Sequence, residues 1–281
     1  MRILLSSTAL AALATSALAD GHGGLTGYAL ADDGMTLVTM ASLAAPGEVT
    51  RVALAEPVSA IAHRPVTGAL LGISEGKVVS IDPATGALTD LAARFDEGAT
   101  LGAGAVAFDF NNAIDAVRAV SASGANLVYF PDGFGDGDDR AGRVLRFTDA
   151  FYAEGDVHAG QAPDIFANAY TNAIAGMKAG STAQYALDSA TDALVTLANN
   201  AGTLGTVGPV TVDGDAVDLT SAGGFDIVSP EEGTDLAYAI LQLEGAPTAG
   251  LYAVDLGSGA ATFLSDLGMG GFSGFAISMG M

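Results

Sequence analysis

A closed ring of five four-stranded β blades, an all-β propeller, is what this sequence predicts, on three observations. The composition favours turns over helices, one strand–turn–strand pattern keeps returning, and the two ends of the chain carry complementary halves of a blade.

Composition comes first. The 281 residues include 38 glycines, and the 32 acidic residues divide into 24 Asp and 8 Glu, while Lys occurs only twice. Asp and Gly build tight turns, whereas Glu and Lys build exposed helices. Half of the chain is hydrophobic and 15% is charged, so it can bury a core and is not disordered. The alanine content is the opposing signal, because Ala favours helices; small side chains are also what blades crowded around a narrow axis require.

The recurring pattern is a strand, an Asp-led turn and a second strand. It is found at residues 78–89, 185–195 and 251–262, with a looser copy at 126–133. A second pattern, an apolar strand followed by a return strand, lies upstream at 60–73, 106–120 and 224–241. Together they give four strands per unit at intervals of about 45 to 60 residues, the spacing of propeller blades. The units are expected to start near Ser59, Ala105, Asp164 and Gly223.

The ends supply the fifth blade. Gly27-Tyr28-Ala29-Leu30-Ala31 matches the second strand of a unit and lacks a first; Gly274-Phe275-Ala276-Ile277-Ser278 matches a first strand and lacks the rest. Pairing them closes the ring and removes two exposed edges. The expected organisation is therefore a cleaved signal peptide at 1–19, a flexible leader at 20–26 and one propeller domain at 27–281. The signal reading rests on basic Arg2, the apolar stretch 3–18 and the small-x-small triplet Ala17-Leu18-Ala19. That stretch is short for a membrane span, so an exported, periplasmic or extracellular chain is expected, with no membrane insertion after cleavage.

Charge and cysteine content exclude whole classes. A formal net charge of −22 repels phosphate, so nucleic acid is not an expected partner. With no Cys there are no disulfides, thiol nucleophiles, iron–sulfur clusters or Cys-ligated zinc. The chain carries no His-Glu-x-x-His and no phosphate loop. Gly102-Ala103-Gly104 imitates a dinucleotide fingerprint but leads into the strand Phe108-Asp109-Phe110 where a helix is needed.

Three groups of residues remain as candidate chemistry. Asp109 and Asp226 hold the same place on two expected inner strands, where equivalent positions ring the axis; they are weak catalytic candidates as acid and base on a glycan or lactone. The plainer reading has each of them pinning its blade through backbone amides. Asp132, Asp136, Asp138 and Asp139 crowd a Gly-rich loop that is able to wrap calcium, although the spacing is not that of an EF-hand and Arg140, Arg143 and Arg146 stand next to it. Cleavage after Ala19 would expose Asp20-Gly21-His22, whose amine, amides and imidazole suit square-planar Cu(II) or Ni(II). Calcium is the one cofactor these patterns raise for the folded part.

Residues 151–172, with Ala169-Tyr170-Thr171-Asn172, and residues 194–209, with Gly202-Thr203-Leu204-Gly205-Thr206-Val207-Gly208-Pro209, resemble a bacterial secreted family known as domain-of-unknown-function family 4394. The resemblance extends over nearly all of 26–277 and implies a repeat-built β fold in an exported protein, with no catalytic residue to carry over. Ala62 stands where the family usually has Asp, and His63 where an apolar residue is typical, so an Asp ring would be incomplete here. The functional expectation is a monomeric binding or interaction module for an unidentified ligand or protein. A glycan or lactone hydrolase or lyase, and a metal-handling N-terminus, are the alternatives.

Overall fold

The computed structural model describes residues 24–280, and its architecture is a five-bladed propeller. Blade 1 combines the last strand with the first three: Gly274–Ser278, Thr26–Ala31, Thr36–Met40 and Val49–Ala53, in that order from the axis. Blade 2 is Ala60–His63, Leu70–Ser74, Lys77–Ile81 and Leu88–Asp90. Blade 3 is Val106–Asn111, Ala116–Ser121, Asn126–Phe130 and Arg143–Arg146; blade 4 is Ile165–Tyr170, Gln184–Asp188, Ala193–Leu197 and Thr203–Pro209. Blade 5 is Leu219–Glu231, Thr234–Leu243, Gly250–Val254 and Ala260–Asp266. The five inner strands contact one another in chain order around the axis, the fifth returning to the first.

Closure is as the terminal half-patterns require. The first strand pairs antiparallel with the last, Gly27 opposite Ile277 and Ala29 opposite Phe275. No strand edge at this seam is left for another chain to extend.

Each seam between neighbouring blades holds its own apolar core. Leu30, Leu37, Ile61 and Leu70 fill the seam between blades 1 and 2, and Phe108, Phe110, Val117 and Ile73 the next. Val120, Ile165, Val195 and Leu204 pack between blades 3 and 4, and Phe166, Leu187, Phe225 and Tyr252 between blades 4 and 5. Met40, Ile240, Phe272 and Phe275 complete the circle. Alanines such as Ala29, Ala62, Ala169 and Ala239 are almost wholly buried on the first and second strands. There the blades converge and a larger side chain would overpack the seam. That is the reason for the alanine content.

The Asp-led turns form as their residues dictate. Asp82 Oδ1 accepts the Ala84 N–H at 2.9 Å and its Oδ2 accepts the Thr85 hydroxyl at 2.7 Å; Asp255 holds Gly257 and Ser258 in the same way. Gly86 and Gly259 close these turns at φ of 73° and 83°, a conformation that costs glycine nothing. The radial place of the turn is where the structure departs from expectation. In blades 2 and 5 it joins the third strand to the fourth, but in blade 4 it joins the second to the third. An Asx turn is satisfied locally and carries no information about which step of the blade it serves. The looser copy at 126–133 is not a tight hairpin at all, since the chain makes a long excursion before Arg143–Arg146.

A second departure concerns strand number. Arg94–Phe95 and Phe151–Tyr152 run parallel to the outer strands of blades 3 and 4, and Thr211–Val212, itself paired with Asp215–Ala216, does so on blade 5. Each linker thus runs along the rim of the blade it is about to enter, giving three blades a fifth strand or more.

Polar side chains tie the blades further. Arg64 grips Asp115 with two nitrogens across blades 2 and 3, at 2.7 and 2.5 Å. The buried Arg118 guanidinium donates to Tyr170, Asn126 and Asn200, joining blade 3 to blade 4.

Candidate functional site

The inner-strand aspartates converge on the axis, as their equivalent positions imply, and the structure shows what they hold. Asp109 follows Phe108 on the inner strand of blade 3; its Oδ2 accepts the Tyr170 N–H of blade 4 at 2.7 Å, and the Phe110 amide also binds the carboxyl. Asp226 does the same on blade 5, two blades on: Oδ1 accepts the Ile227 N–H at 2.7 Å and Oδ2 the Ile277 N–H of blade 1 at 2.5 Å. Each carboxyl therefore clamps an edge amide of its own strand and one of the next. Inner strands have no neighbour on the axial side, so these amides need an acceptor from elsewhere. Ala62 and Ala276 stand at the matching places in blades 2 and 1. In blade 4 a bulge between Ile165 and Ala167 shifts the register, so that Ala169 precedes the clamped Tyr170.

The axis itself is nearly filled. Beside the pair, His63, Ile227, Ile277 and Met279 leave about 10 Å³, room for one water-sized body. A void of similar size at the other end lies among Phe108, Phe225, Phe275 and Asn168, whose amide oxygen and nitrogen are buried without a protein partner. No sugar or lactone ring fits either space. The geometry is that of a staple through the hub.

Burial and the neighbouring Asp226 charge push the Asp109 carboxyl well above the usual carboxylate range, and burial raises Asp226 to about 7. Burial lowers His63 to about 4. For the aspartates the folded state holds the proton more tightly, so their contribution is complete below about pH 4; that of Asp226 is lost as the pH rises through about 7, and that of Asp109 falls in the same direction. His63 works in the opposite sense, losing its contribution as the pH falls from 6.5 through 4. Above pH 6.5 only the aspartates act. Stability is expected to fall by about 1–2 kcal/mol between pH 6 and pH 8. Melting curves should show this as a drop of several degrees, absent in the Asp109→Asn/Asp226→Asn double variant; an equal slope in that variant would assign the effect to other groups.

The Gly-rich acidic loop does not gather its carboxylates. Asp138 is taken by Arg140, Nε and Nη2 at 2.9 and 2.6 Å, and this partner holds it down at about 2. Arg140 also lies over Phe130 and Phe134, 4.9 and 5.0 Å from the ring centroids. Asp132, Asp136 and Asp139 are exposed, and among the described residues no three carboxylate or imidazole groups face a common point. Asp20 and His22 lie outside the described residues. His158 is half-buried with its ring 5.4 Å from that of Tyr152.

A much roomier cavity than those on the axis was not legible as a site in the sequence. It holds about 510 Å³ and opens between blade 2 and the linker that enters blade 3. Ile73, Phe95, Ala99, Leu101 and Val106 form its apolar lining, with Ser59, Thr100 and Glu75 as polar members and Gly102 and Gly104 in the wall. The wall is held from behind: Arg146 donates to the Gly98 and Thr100 carbonyls at 3.2 and 3.1 Å, and Ala122 donates to Ala105 at 2.9 Å. The glycine pair that imitates a nucleotide fingerprint is thus part of this wall. A concavity of this size, mostly apolar with a few placed polar groups, is the usual form of a small-molecule site.

Comparison with known proteins gives a family and a set of distant folds. The family described as a domain of unknown function (DUF4394) matches residues 35–276. No curated protein matches the chain. Among solved structures, a structural-genomics protein of unknown function from Bacteroides thetaiotaomicron is 12% identical with a TM-score of 0.46, covering 89% of this chain and 56% of its own. A nidogen/laminin complex chain is 11% identical with a TM-score of 0.45, covering 90% and 97%. The glutaminyl cyclase of Myxococcus xanthus is 10% identical with a TM-score of 0.38, covering 89% and 73%. The chain spans a little over half the length of the first of these. Likeness this remote says nothing of ligand or activity.

Proposed function

Since the chain belongs to the DUF4394 family, we propose that it is an exported binding module, with a small-molecule seat in the cavity between blades 2 and 3. One observation carries the reading: the described axis has room for single waters only, whereas this cavity has about 510 Å³ and a pinned, mostly apolar wall. A preformed wall lowers the ordering cost of binding. Export is supported by the pattern of residues 1–19. The axial aspartates, occupied by backbone amides, are structural in this reading and not acid and base.

The test is a thermal-shift screen of the purified protein against small amphipathic compounds, repeated on two variants. Thr100→Trp puts a bulky side chain into the cavity lining; Asp109→Asn/Asp226→Asn alters the hub. At least one compound should raise the melting temperature of the parent and of the hub variant, and fail on Thr100→Trp. No stabilising compound, or stabilisation that survives Thr100→Trp, would remove the cavity as the seat. Turnover of a glycan or lactone that is lost in the hub variant would move the function to the axis.

A further inference from the structure

Glu75 is out of pattern. Among the described residues, nine other than glycine have positive φ, and seven of these are Asp or Asn, the types that tolerate it. Glu75 (φ 47°) and Gly76 (φ 75°) make the two-residue hairpin between Leu70–Ser74 and Lys77–Ile81, where both central positions need positive φ and Asn-Gly or Asp-Gly is the favoured pair. In a chain that uses Asp 24 times, this turn carries the longer acid. Glu75 is exposed at the hairpin tip, belongs to the lining of the 510 Å³ cavity and is the single ionisable residue in that lining.

The groups around it leave that charge unmatched. Glu75 has no hydrogen-bond or ionic partner among the described residues, and Lys77, close by in the same hairpin, makes no ion pair with it. Arg146, behind the opposite wall, is committed to Asp149 and to the Gly98 and Thr100 carbonyls. Ser59 spends its hydroxyl on the Ile73 carbonyl at 3.2 Å. What remains is an apolar chamber with one free carboxylate at its rim, on a molecule whose net charge draws cations.

We infer that the cavity takes a cationic amphiphile: a protonated amine on an apolar ring or chain, the apolar body against Ile73, Phe95, Leu101 and Val106, and the ammonium at Glu75. This rests on the proposed seat between blades 2 and 3 and adds the class of ligand. Three probes of one shape separate the two claims: tryptamine, its neutral N-acetyl derivative, and the anion indole-3-propionate, titrated calorimetrically into the full chain at low and moderate salt. Tryptamine should bind at least tenfold more tightly than either of the others, with Glu75→Gln reducing its affinity about tenfold and leaving N-acetyltryptamine unchanged. Thr100→Trp should abolish both. Equal binding of all three probes, or tryptamine binding indifferent to Glu75→Gln, would overturn the charge assignment and leave the seat standing. Binding of none, or binding that survives Thr100→Trp, would overturn the seat itself. Glu75→Asp, which keeps the charge and suits the turn better, serves as the folding control and should weaken tryptamine less than Gln does.

Discussion

Deleting residues 271–281 is expected to abolish cooperative folding of the whole protein, not to fray one end of it. The deleted segment contains the inner strand of blade 1, so its loss removes the pairing of Thr26–Ala31 on its axial side and takes Phe272, Phe275 and Ile277 out of the core between blades 5 and 1. Burial of a large apolar side chain contributes about 1.5–3 kcal/mol, so three of them approach the 5–15 kcal/mol that holds a typical domain together. The deletion also strips Asp226 of the Ile277 amide and leaves Gly224 facing solvent where it now meets Phe275. Every blade, blade 1 included, is held by two seams, and the loss of its inner strand opens both at once. Near-ultraviolet circular dichroism and a thermal melt check this: the truncated chain should lose its sharp transition. A truncated chain that melts like the parent would mean that the ring does not depend on its closing strand.

The second large effect is expected from a single methyl group at the same seam. A Cβ on Gly224 would sit 2.4 Å from the Phe275 nitrogen and 2.5 Å from its Cβ, both closer than atoms approach without displacement. These are backbone and near-backbone atoms of the closing strand, unable to swing aside as a long side chain would. Gly224→Ala should therefore cost about 3 kcal/mol, the upper range for overpacking, with a melting temperature lower by several degrees. Gly47→Ala, where nothing lies within 4 Å, is the matched control and should change little. Equal melting of the two variants would show that the inner strands of blades 5 and 1 have slack that the packing does not suggest.

What the sequence conveyed and what it withheld divide along a physical line. The repeat, the ring and its closure were readable because strand patterns and Asp-led turns are local, and because the halves at residues 27–31 and 274–278 each lack what the other has. The equivalence of Asp109 and Asp226 was readable for the same reason, each following a Phe on an inner strand. The rim strands Arg94–Phe95, Phe151–Tyr152 and Thr211–Val212 were not: two residues carry no period, and their pairing is decided by the next blade. In blade 4 the bulge after Ile165 places Ala169 at the level of the aspartates, a register that local pattern does not fix. The cavity was hidden because its wall comes from an irregular linker and its floor from a different blade. No motif joins Glu75 to Leu101; only the fold does.

The pairing of Thr26–Ala31 with Gly274–Ser278 also fixes the timing of assembly. During synthesis the first strand emerges about 240 residues before its inner partner, so blade 1 lacks its innermost strand while the other four are translated. Loop closure over such a distance is slow, and an unpaired apolar strand is adhesive in the meantime. The edge of Thr26–Ala31 therefore stays open until Gly274–Ser278 is free to pair with it, and a nascent chain stalled before Gly274 is an open-edged species whatever the soundness of its finished blades.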